Sequence, residues 1–310
     1  MKKKISIVCP ALNEEKNLPL LCQRIQQVIS STPHDYEIVI ADNGSSDNSI
    51  TVLKEIQKKQ PQVKILELTR NFGHQGGILA GLANATGNAV ITMDADLQHP
   101  PETIAPMIKL WEQGFMVVNS EKENSHSTPF RKFMDKLFYS LMEHYADLEF
   151  GHSDFRLLDR QVLDKFNSLP ETEKFMRGLI SWLGFKTAIV KYKVGDRMYG
   201  VSKYTAKQLW DLALNGITSF SLAPLRMMFT FGVMIFIPSF FYLVYLLTLS
   251  FLIDYFKMDF KFPPGWATIT VTIIFFGSVQ MLSIGILGEY IGRIYSEVKR
   301  RPKFIIKDSY

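Results

Sequence analysis

Cysteine is nearly absent. Cys9 and Cys22 are the only two in 310 residues, and no CxxC spacing occurs, which argues against a disulfide framework or a cysteine zinc site. Cys9 lies in an apolar, strand-like run and reads as a small core residue; a reducing compartment is compatible with both. A signal peptide is not expected either. The apolar run in MKKKISIVCPALNEE is too short, and Asn13, Glu14 and Glu15 interrupt it. No GxGxxG or GxxxxGK[ST] follows a strand pattern, and Gly73-His74-Gln75-Gly76-Gly77 fits neither, so a Rossmann dehydrogenase and a P-loop enzyme are disfavoured. There is no serine nucleophile elbow. His74, His99, His126, His144 and His152 are scattered without metal-ligand spacing and read as solvated or structural. Internal repeats and low-complexity linkers are lacking.

Net charge is small, but the basic groups cluster. The net charge is +5, with basic groups at Lys2 to Lys4 and at Lys299, Arg300, Arg301 and Lys303. That distribution suits an anionic membrane surface better than a nucleic-acid groove, so no nucleic-acid partner is expected. Before about residue 220 the chain reads as a soluble α/β protein. After it come two uncharged apolar stretches, 227–253 (27 residues, with Pro238 inside) and 266–288 (23 residues). A membrane span needs roughly 20 residues, and two such stretches in tandem predict a transmembrane hairpin. In the connector, Asp254 and Asp259 balance Lys257 and Lys261. Arg226 precedes the first stretch, and Arg293 to Lys303 follow the second, so the positive-inside rule places both ends in the cytoplasm. The expected protein is multi-pass in the plasma membrane. Its expected divisions are a catalytic domain at 1–200, an interfacial segment at 201–226, spans at 227–253 and 266–288, and a basic tail at 289–310. Ser202–Ser221 carries an amphipathic pattern that fits either a membrane-surface helix or a helix packed on the core.

The first 120 residues alternate short β-type runs (Ile5–Cys9, Glu37–Ala41, Val63–Leu68, Ala89–Met93) with helical patterns such as Leu18, Leu21, Ile25 and Val28. A further strand is expected within Lys186–Val194. Such alternation predicts a mainly parallel sheet covered on both faces, with ligands beyond the carboxyl ends of its strands. Polar residues concentrate at those ends: Pro10, Asn13 and Glu14; Asp42 to Asp47; Arg70 to Gly73; and Asp94, Asp96 and Gln98. On an extended segment, side chains two apart share a direction, so Asp94, Asp96 and Gln98 suit a hard cation, Mg²⁺ or Mn²⁺, that neutralises a diphosphate.

Several ordered motifs together resemble glycosyltransferase family 2, nearest its polyprenyl-phosphate branch (bactoprenol and dolichol-phosphate transferases). They are PxLNEE, ADNGSSD, RNFG, DADLQHPPE, DFRLLDR, FMRGLISWLGF, GxSKY and LGEYIGRIYxEVKxRP, spread from about residue 4 to residue 304. The resemblance implies a GT-A catalytic domain, a nucleotide-sugar donor, a divalent cation and inversion at the anomeric carbon. Pro10, Asn13, Glu14, Asp42 and Asp94 match the nucleotide-sugar site; Asp94, Asp96 and Gln98 match the metal and diphosphate element. Asp154 matches the acid held to be catalytic, with Asp96 beside it. Arg197, Ser202 and Lys203 fall in the phosphate-binding turn, for which membrane-surface snorkelling is the plainer alternative. The sequence departs from the family at Asn43, where relatives carry a second aspartate, and in 119–127, which lacks the family's arginines.

The implied reaction moves a sugar from a nucleotide-sugar, UDP-glucose or UDP-N-acetylglucosamine, to undecaprenyl phosphate at the cytoplasmic face; a GDP-sugar donor is the alternative. The lipid membrane is a partner, and the hairpin allows a homo-oligomer. A membrane-tethered nucleotide-sugar binder without turnover would lack part of the Asp94, Asp96, Gln98 and Asp154 set, all of which is present. A processive polysaccharide synthase would show QxxRW and more spans, and one hairpin gives a transporter no midplane site.

Overall fold

The computed structural model describes residues 2–123, 154–172, 174–193 and 265–310, with scattered helical residues between 225 and 252. Two compact units are present: 1–212 with 300–310, and 213–299.

The first unit is built on an eight-stranded sheet of order β7-β5-β6-β4-β1-β2-β3-β8. Its strands are β1 (Lys4–Ala11), β2 (Asp35–Asp42), β3 (Val63–Leu68), β4 (Ala89–Thr92), β5 (Val117–Lys122), β6 (Arg156–Asp159), β7 (Thr187–Tyr192) and β8 (Ile306–Ser309). The sheet is mixed rather than mainly parallel. β1 pairs in parallel with β2 and β4, β2 with β3, and β5 with β7, whereas β6 runs antiparallel to β4 and β5, and β8 antiparallel to β3. The parallel half carries the near-continuous apolar runs that a sheet buried on both faces requires: Ile5, Ile7, Val8, Cys9, Ile38, Val39, Ile40, Val90 and Ile91 are wholly buried.

Three helices cover this half: α1 (Leu18–Ile29), α2 (Ser49–Lys59) and α3 (Gly73–Asn84). α1 buries Leu18, Leu21, Cys22, Ile25 and Ile29, the three- and four-residue spacing of one helical face, and carries Pro19 in its first turn, where no N–H is needed. α3 is packed differently. A Cβ at Gly77 would come 2.9 Å from Pro10 Cβ, and one at Gly81 would collide with Val8. Glycine at these two positions lets the helix axis settle against β1. After β4 come a short 3₁₀ turn (Pro101–Thr103), α4 (Ile104–Glu112), α5 (Arg160–Ser168) and α6 (Met176–Trp182). Asp159 caps α5, accepting from the Gln161 N–H at 2.8 Å.

In the second unit, α7 (Trp266–Lys299) is 34 residues long and starts where the second apolar stretch starts. Among the described residues no helix is long and apolar enough to cross a membrane; about half of 227–253, nearly all of the connector, and nearly all of the segment at 201–226 lie outside the described residues.

The chain's last residues rejoin the first unit. β8 adds to the edge of β3, Ile65 and Tyr310 exchange two backbone hydrogen bonds of 3.0 Å, and Thr69 N–H donates to Ile305 O at 3.0 Å. Lys307 pairs with Glu67, and the Lys54 ammonium sits 3.9 Å from the centre of the Tyr310 ring. Deleting residues 306–310 leaves the β3 edge unpaired. At roughly 0.5–1.5 kcal/mol net per hydrogen bond, the loss is about 2 kcal/mol, a drop in Tm on the order of 4–8 °C. Thermal unfolding of the full chain against the truncated chain measures it; an unchanged Tm would show that the strand contributes nothing.

Candidate active site

The register of the parallel strands brings four loops to one edge. Pro10 and Ala11 lie beside Ala41 and Asp42, and Met93 N–H donates to Val8 O at 3.0 Å. The segments after β1, β2, β3 and β4 therefore emerge together, as the polar loops of the sequence suggest.

The loops after β1 and β2 are stitched to each other. Asn13 takes up a left-handed backbone (φ 58°) that an Asx side chain tolerates. Its Oδ1 accepts from Ser46 N–H at 2.8 Å, and its own N–H donates to Ser45 Oγ at 2.9 Å. Glu14 N–H donates to Ser49 Oγ at 3.0 Å, and its carboxylate accepts from Asn17 at 2.6 Å. Asn13 and Glu14 thus shape the loop. Asp42 is different: it is buried, Oδ2 accepts from Ser45 N–H at 3.1 Å, and Oδ1 has no hydrogen-bond partner among the described residues. Burial raises its carboxyl above the ordinary value, against the hydrogen bonds from Ser45. An orphaned buried carboxylate oxygen at a strand end is a ready acceptor for a ligand N–H or O–H.

The departure at Asn43 has a structural cause. Its Nδ2 donates to Gly73 O at 2.8 Å and to Asn71 Oδ1 at 3.2 Å, while its Oδ1 accepts from Phe72 N–H at 2.9 Å. A carboxylate here could not make the two donations.

Asp94, Asp96 and Gln98 do not lie on an extended segment. β4 ends at Thr92, and the chain turns through Leu97 in the left-handed region (φ 63°), with Asp96 Oδ1 accepting from Gln98 N–H at 3.1 Å. It is a turn, rather than strand alternation, that holds these residues together. His99 anchors it: Nδ1 accepts from Asp94 N–H at 3.0 Å, and the ring stacks on Phe155 at 4.9 Å between centroids. A ring nitrogen that accepts carries no proton, and burial lowers the imidazole's basicity, so the 3.6 Å approach of Asp94 Oδ2 to the same atom is no ion pair. Among the described residues no three His, Cys, Asp or Glu side chains form a metal cage. The donor set of two carboxylates still fits Mg²⁺ or Mn²⁺, since such an ion draws its remaining ligands from phosphates and water.

Asp154 enters the same place from β6. His74 Nε2 lies 3.3 Å from Asp94 Oδ1 and 3.9 Å from Asp154 Oδ2, so one imidazole stands between the two carboxylates. Arg177 of α6 grips Asp154 with Nε at 2.9 Å from Oδ1 and Nη2 at 3.0 Å from Oδ2. Gln75 Nε2 adds a longer donation at 3.4 Å, and Arg156 Nη2 lies at 3.9 Å. Burial pushes the Asp154 carboxyl up, but the hydrogen bonds and charge of Arg177, with Arg156 and His74, outweigh it and hold the carboxyl at about 2. His74, Gln75, Arg156 and Arg177 are site neighbours that sequence reasoning missed. His74 had looked solvated or structural, and only the FMRG motif marked Arg177. Arg197, Ser202 and Lys203 lie outside the described residues.

A parallel β-core with a carboxylate-rich edge after β1, β2 and β4 and an acid entering from a neighbouring antiparallel strand defines a GT-A-type glycosyltransferase. Residues 6–166 match the model for glycosyl transferase family 2, and the chain belongs to that family. It is 39% identical to an uncharacterized glycosyltransferase, YkcC, of Bacillus subtilis, over 98% of this chain and 94% of that protein. It is equally similar, at 39%, to the SfII prophage-derived bactoprenol glucosyl transferase of Shigella flexneri, over 99% of this chain and 98% of that one. A solved glucosyl-3-phosphoglycerate synthase from Mycobacterium tuberculosis shares the fold at 19% identity and a TM-score of 0.51, over 70% of this chain and 76% of that one.

Because Asp154 is depressed by folding, its pairing stabilises the protein fully above the ordinary carboxyl range, and that stability is lost as pH falls from about 4 to about 2. The gap in Tm between the wild type and Asp154→Asn is expected to be flat from pH 7 to pH 5 and to shrink below about 4. A gap that stays unchanged as pH falls to about 2 would refute the ion pair.

Proposed function

We propose that the chain transfers a sugar from a UDP-sugar, UDP-glucose or UDP-N-acetylglucosamine, to a polyprenyl phosphate at the cytoplasmic membrane face, with inversion. The observation that carries this reading is the meeting of Asp94 and Asp154 across His74, which sets a diphosphate-binding turn beside a permanently ionised acid. Near-full-length relatives named bactoprenol glucosyl transferase support the acceptor class.

Asp42 and the loop after Pro10, Asn13 and Glu14 receive the nucleotide, the free Asp42 oxygen accepting a donor from it. Asp94 and Asp96, with Gln98 in the same turn, hold Mg²⁺ or Mn²⁺, which when bound supplies positive charge to the diphosphate leaving group. The acceptor needs little help from a base, because a phosphate monoester loses its second proton near pH 6 and is already a dianion at neutral pH. Asp154, with its carboxyl at about 2, is too weak a base to take a proton from it. Its work in this reading is electrostatic: a fixed negative charge beside the sugar carbon as positive charge develops there. Arg197, Ser202 and Lys203 receive the lipid phosphate.

The membrane arrangement is part of the proposal. α7 is 34 residues long, and its sequence carries no charge from 266 to 288. Ile269, Ile273, Met281 and Ile284 are exposed along it, the arrangement a lipid-facing helix needs. With 227–253 as its partner span, residues 1–200 and the tail lie on the cytoplasmic side, and 201–226 lies at the interface.

The protein reconstituted with undecaprenyl phosphate, Mn²⁺ and a panel of nucleotide-sugars is expected to form a lipid-linked sugar with release of nucleoside diphosphate. Asp96→Asn and EDTA should each lower the rate by at least about 10²-fold, and added Mg²⁺ or Mn²⁺ should rescue only the EDTA-treated wild type. Full activity without metal would end the metal assignment. Reporter fusions at Met1 and Tyr310 are expected to report the same cytoplasmic side; opposite sides would mean one span rather than two.

A further inference from the structure

We propose that Arg177 is a positioning residue for the transfer, gripping the Asp154 carboxylate edge-on and thereby fixing the direction in which it faces the reaction centre. This role rests on the reading of Asp154 given above. Three observations carry it. The contact is bidentate, with Nε at 2.9 Å and Nη2 at 3.0 Å, a fork geometry that fixes the plane of the carboxylate as well as its place. Asp154 is almost buried, with 11% of its side chain exposed, whereas 37% of the Arg177 side chain remains accessible, so the pair lies at the lip of the site and not in the core. Finally, both carboxylate oxygens have further neighbours from separate elements: Oδ2 faces Gln75 at 3.4 Å and His74 at 3.9 Å, both from α3, and Oδ1 faces Arg156 at 3.9 Å. Releasing one edge of the carboxylate would let it rotate towards these groups.

The backbone supports the same point. Thr92 Oγ donates to Asp154 O, and Ser120 Oγ donates to Phe155 O at 2.6 Å. The main chain of 154–155 is thus tied to β4 and β5, which leaves the side-chain torsions as the freedom that Arg177 removes. α6 carries Arg177 on its second residue, and the same helix buries Met176, Leu179 and Ile180. The guanidinium is therefore delivered from a packed element, and the FMRGLISWLGF motif combines the two jobs of anchoring the helix and presenting the arginine.

The test is a double-mutant cycle on the reconstituted full chain, with Arg177→Met, Arg177→Lys, Asp154→Asn and Arg177→Met/Asp154→Asn. Transfer from the active nucleotide-sugar to undecaprenyl phosphate is measured, together with donor KM. Arg177→Met is expected to lower kcat by on the order of 10²-fold with donor KM within about 3-fold, since the lost interaction acts at the reacting centre. Arg177→Lys, which keeps the charge but not the fork, should recover only part of that loss. In the Asp154→Asn background, Arg177→Met should cost less than about 3-fold more, because a residue that acts through Asp154 has nothing left to position. A loss of similar size in both backgrounds would overturn the role, as would an Arg177→Met enzyme of wild-type kcat. If Arg177→Met fails to fold, the cycle is run with Arg177→Lys against Asp154→Asn and judged by the same non-additivity. A wild type that transfers no sugar to the lipid overturns the functional reading itself and this role with it, whereas an active wild type with an additive cycle overturns only the role of Arg177.

Discussion

Strand β1 is the constraint on which the rest depends. It lies between β2 and β4, paired in parallel on both sides, and is buried from Ile5 to Ala11. From Ile5 to Val8 it is paired on both sides, so its register cannot slip without orphaning buried N–H and C=O groups. Fixing β1 fixes where β2 and β4 end, and hence where Asp42 and Asp94 emerge. α3 then has one place to lie, because Gly77 and Gly81 allow it to approach Pro10 and Val8. The first turn of that helix carries His74 and Gln75 to Asp94 and Asp154. A hydrophobic packing requirement on one face of the sheet thus decides the geometry of a polar site at its edge.

The site that results is an arrangement of charges with opposite tasks. Asp154 is flanked by the guanidinium groups of Arg177 and Arg156 and by the His74 ring, and carries a carboxyl of about 2. Burial drives the Asp42 carboxyl the other way. The two acids are both buried strand-end carboxylates of one sheet, and their environments separate them into a fixed anion and an acceptor still open to a ligand. Between them, the Asp94 turn is held by a neutral His99 whose lone pair is already committed to the backbone. Commitment of that nitrogen keeps His99 from competing for whatever the Asp94 and Asp96 carboxylates bind.

The parts of this arrangement legible in the sequence are those set by local pattern. The apolar runs of β1 to β4 and the polar residues after them are read from short windows, and the DxD element is found because it interrupts such a run. β5, β6 and β8 are not legible in the same way. Val117–Lys122 ends in exposed charged residues, and Arg156–Asp159 and Ile306–Ser309 are only four residues long, too short for a period of two to stand out. β8 exists because the β3 edge is there to receive it, and its partner lies some 240 positions earlier. Arg177 is hidden for the same reason: an arginine on an amphipathic helix looks like a solvated face until a carboxylate from another strand is brought to 2.9 Å. The expectation of an extended DxDxQ ligand row was wrong in its geometry because Leu97 turns the chain where strand alternation would have continued it.

Asn43 shows how a departure from a family pattern is tied into the same framework. A second aspartate at this position would present only acceptors, and three partners await it: a carbonyl at Gly73, an amide oxygen at Asn71 and an N–H at Phe72. Two of the three require a donor, so an amide satisfies all of them and a carboxylate would face two oxygens. The neighbouring turn is equally constrained, since Gly44 is left-handed (φ 73°) and a Cβ there would come within 2.7 Å of Arg70 C. Asn43 and Gly44 together lock the segment 70–73 onto the end of β2. That segment is the entry to α3, and α3 carries His74 and Gln75. The residue that the sequence gives up as a ligand is thereby used to aim the histidine that stands between Asp94 and Asp154.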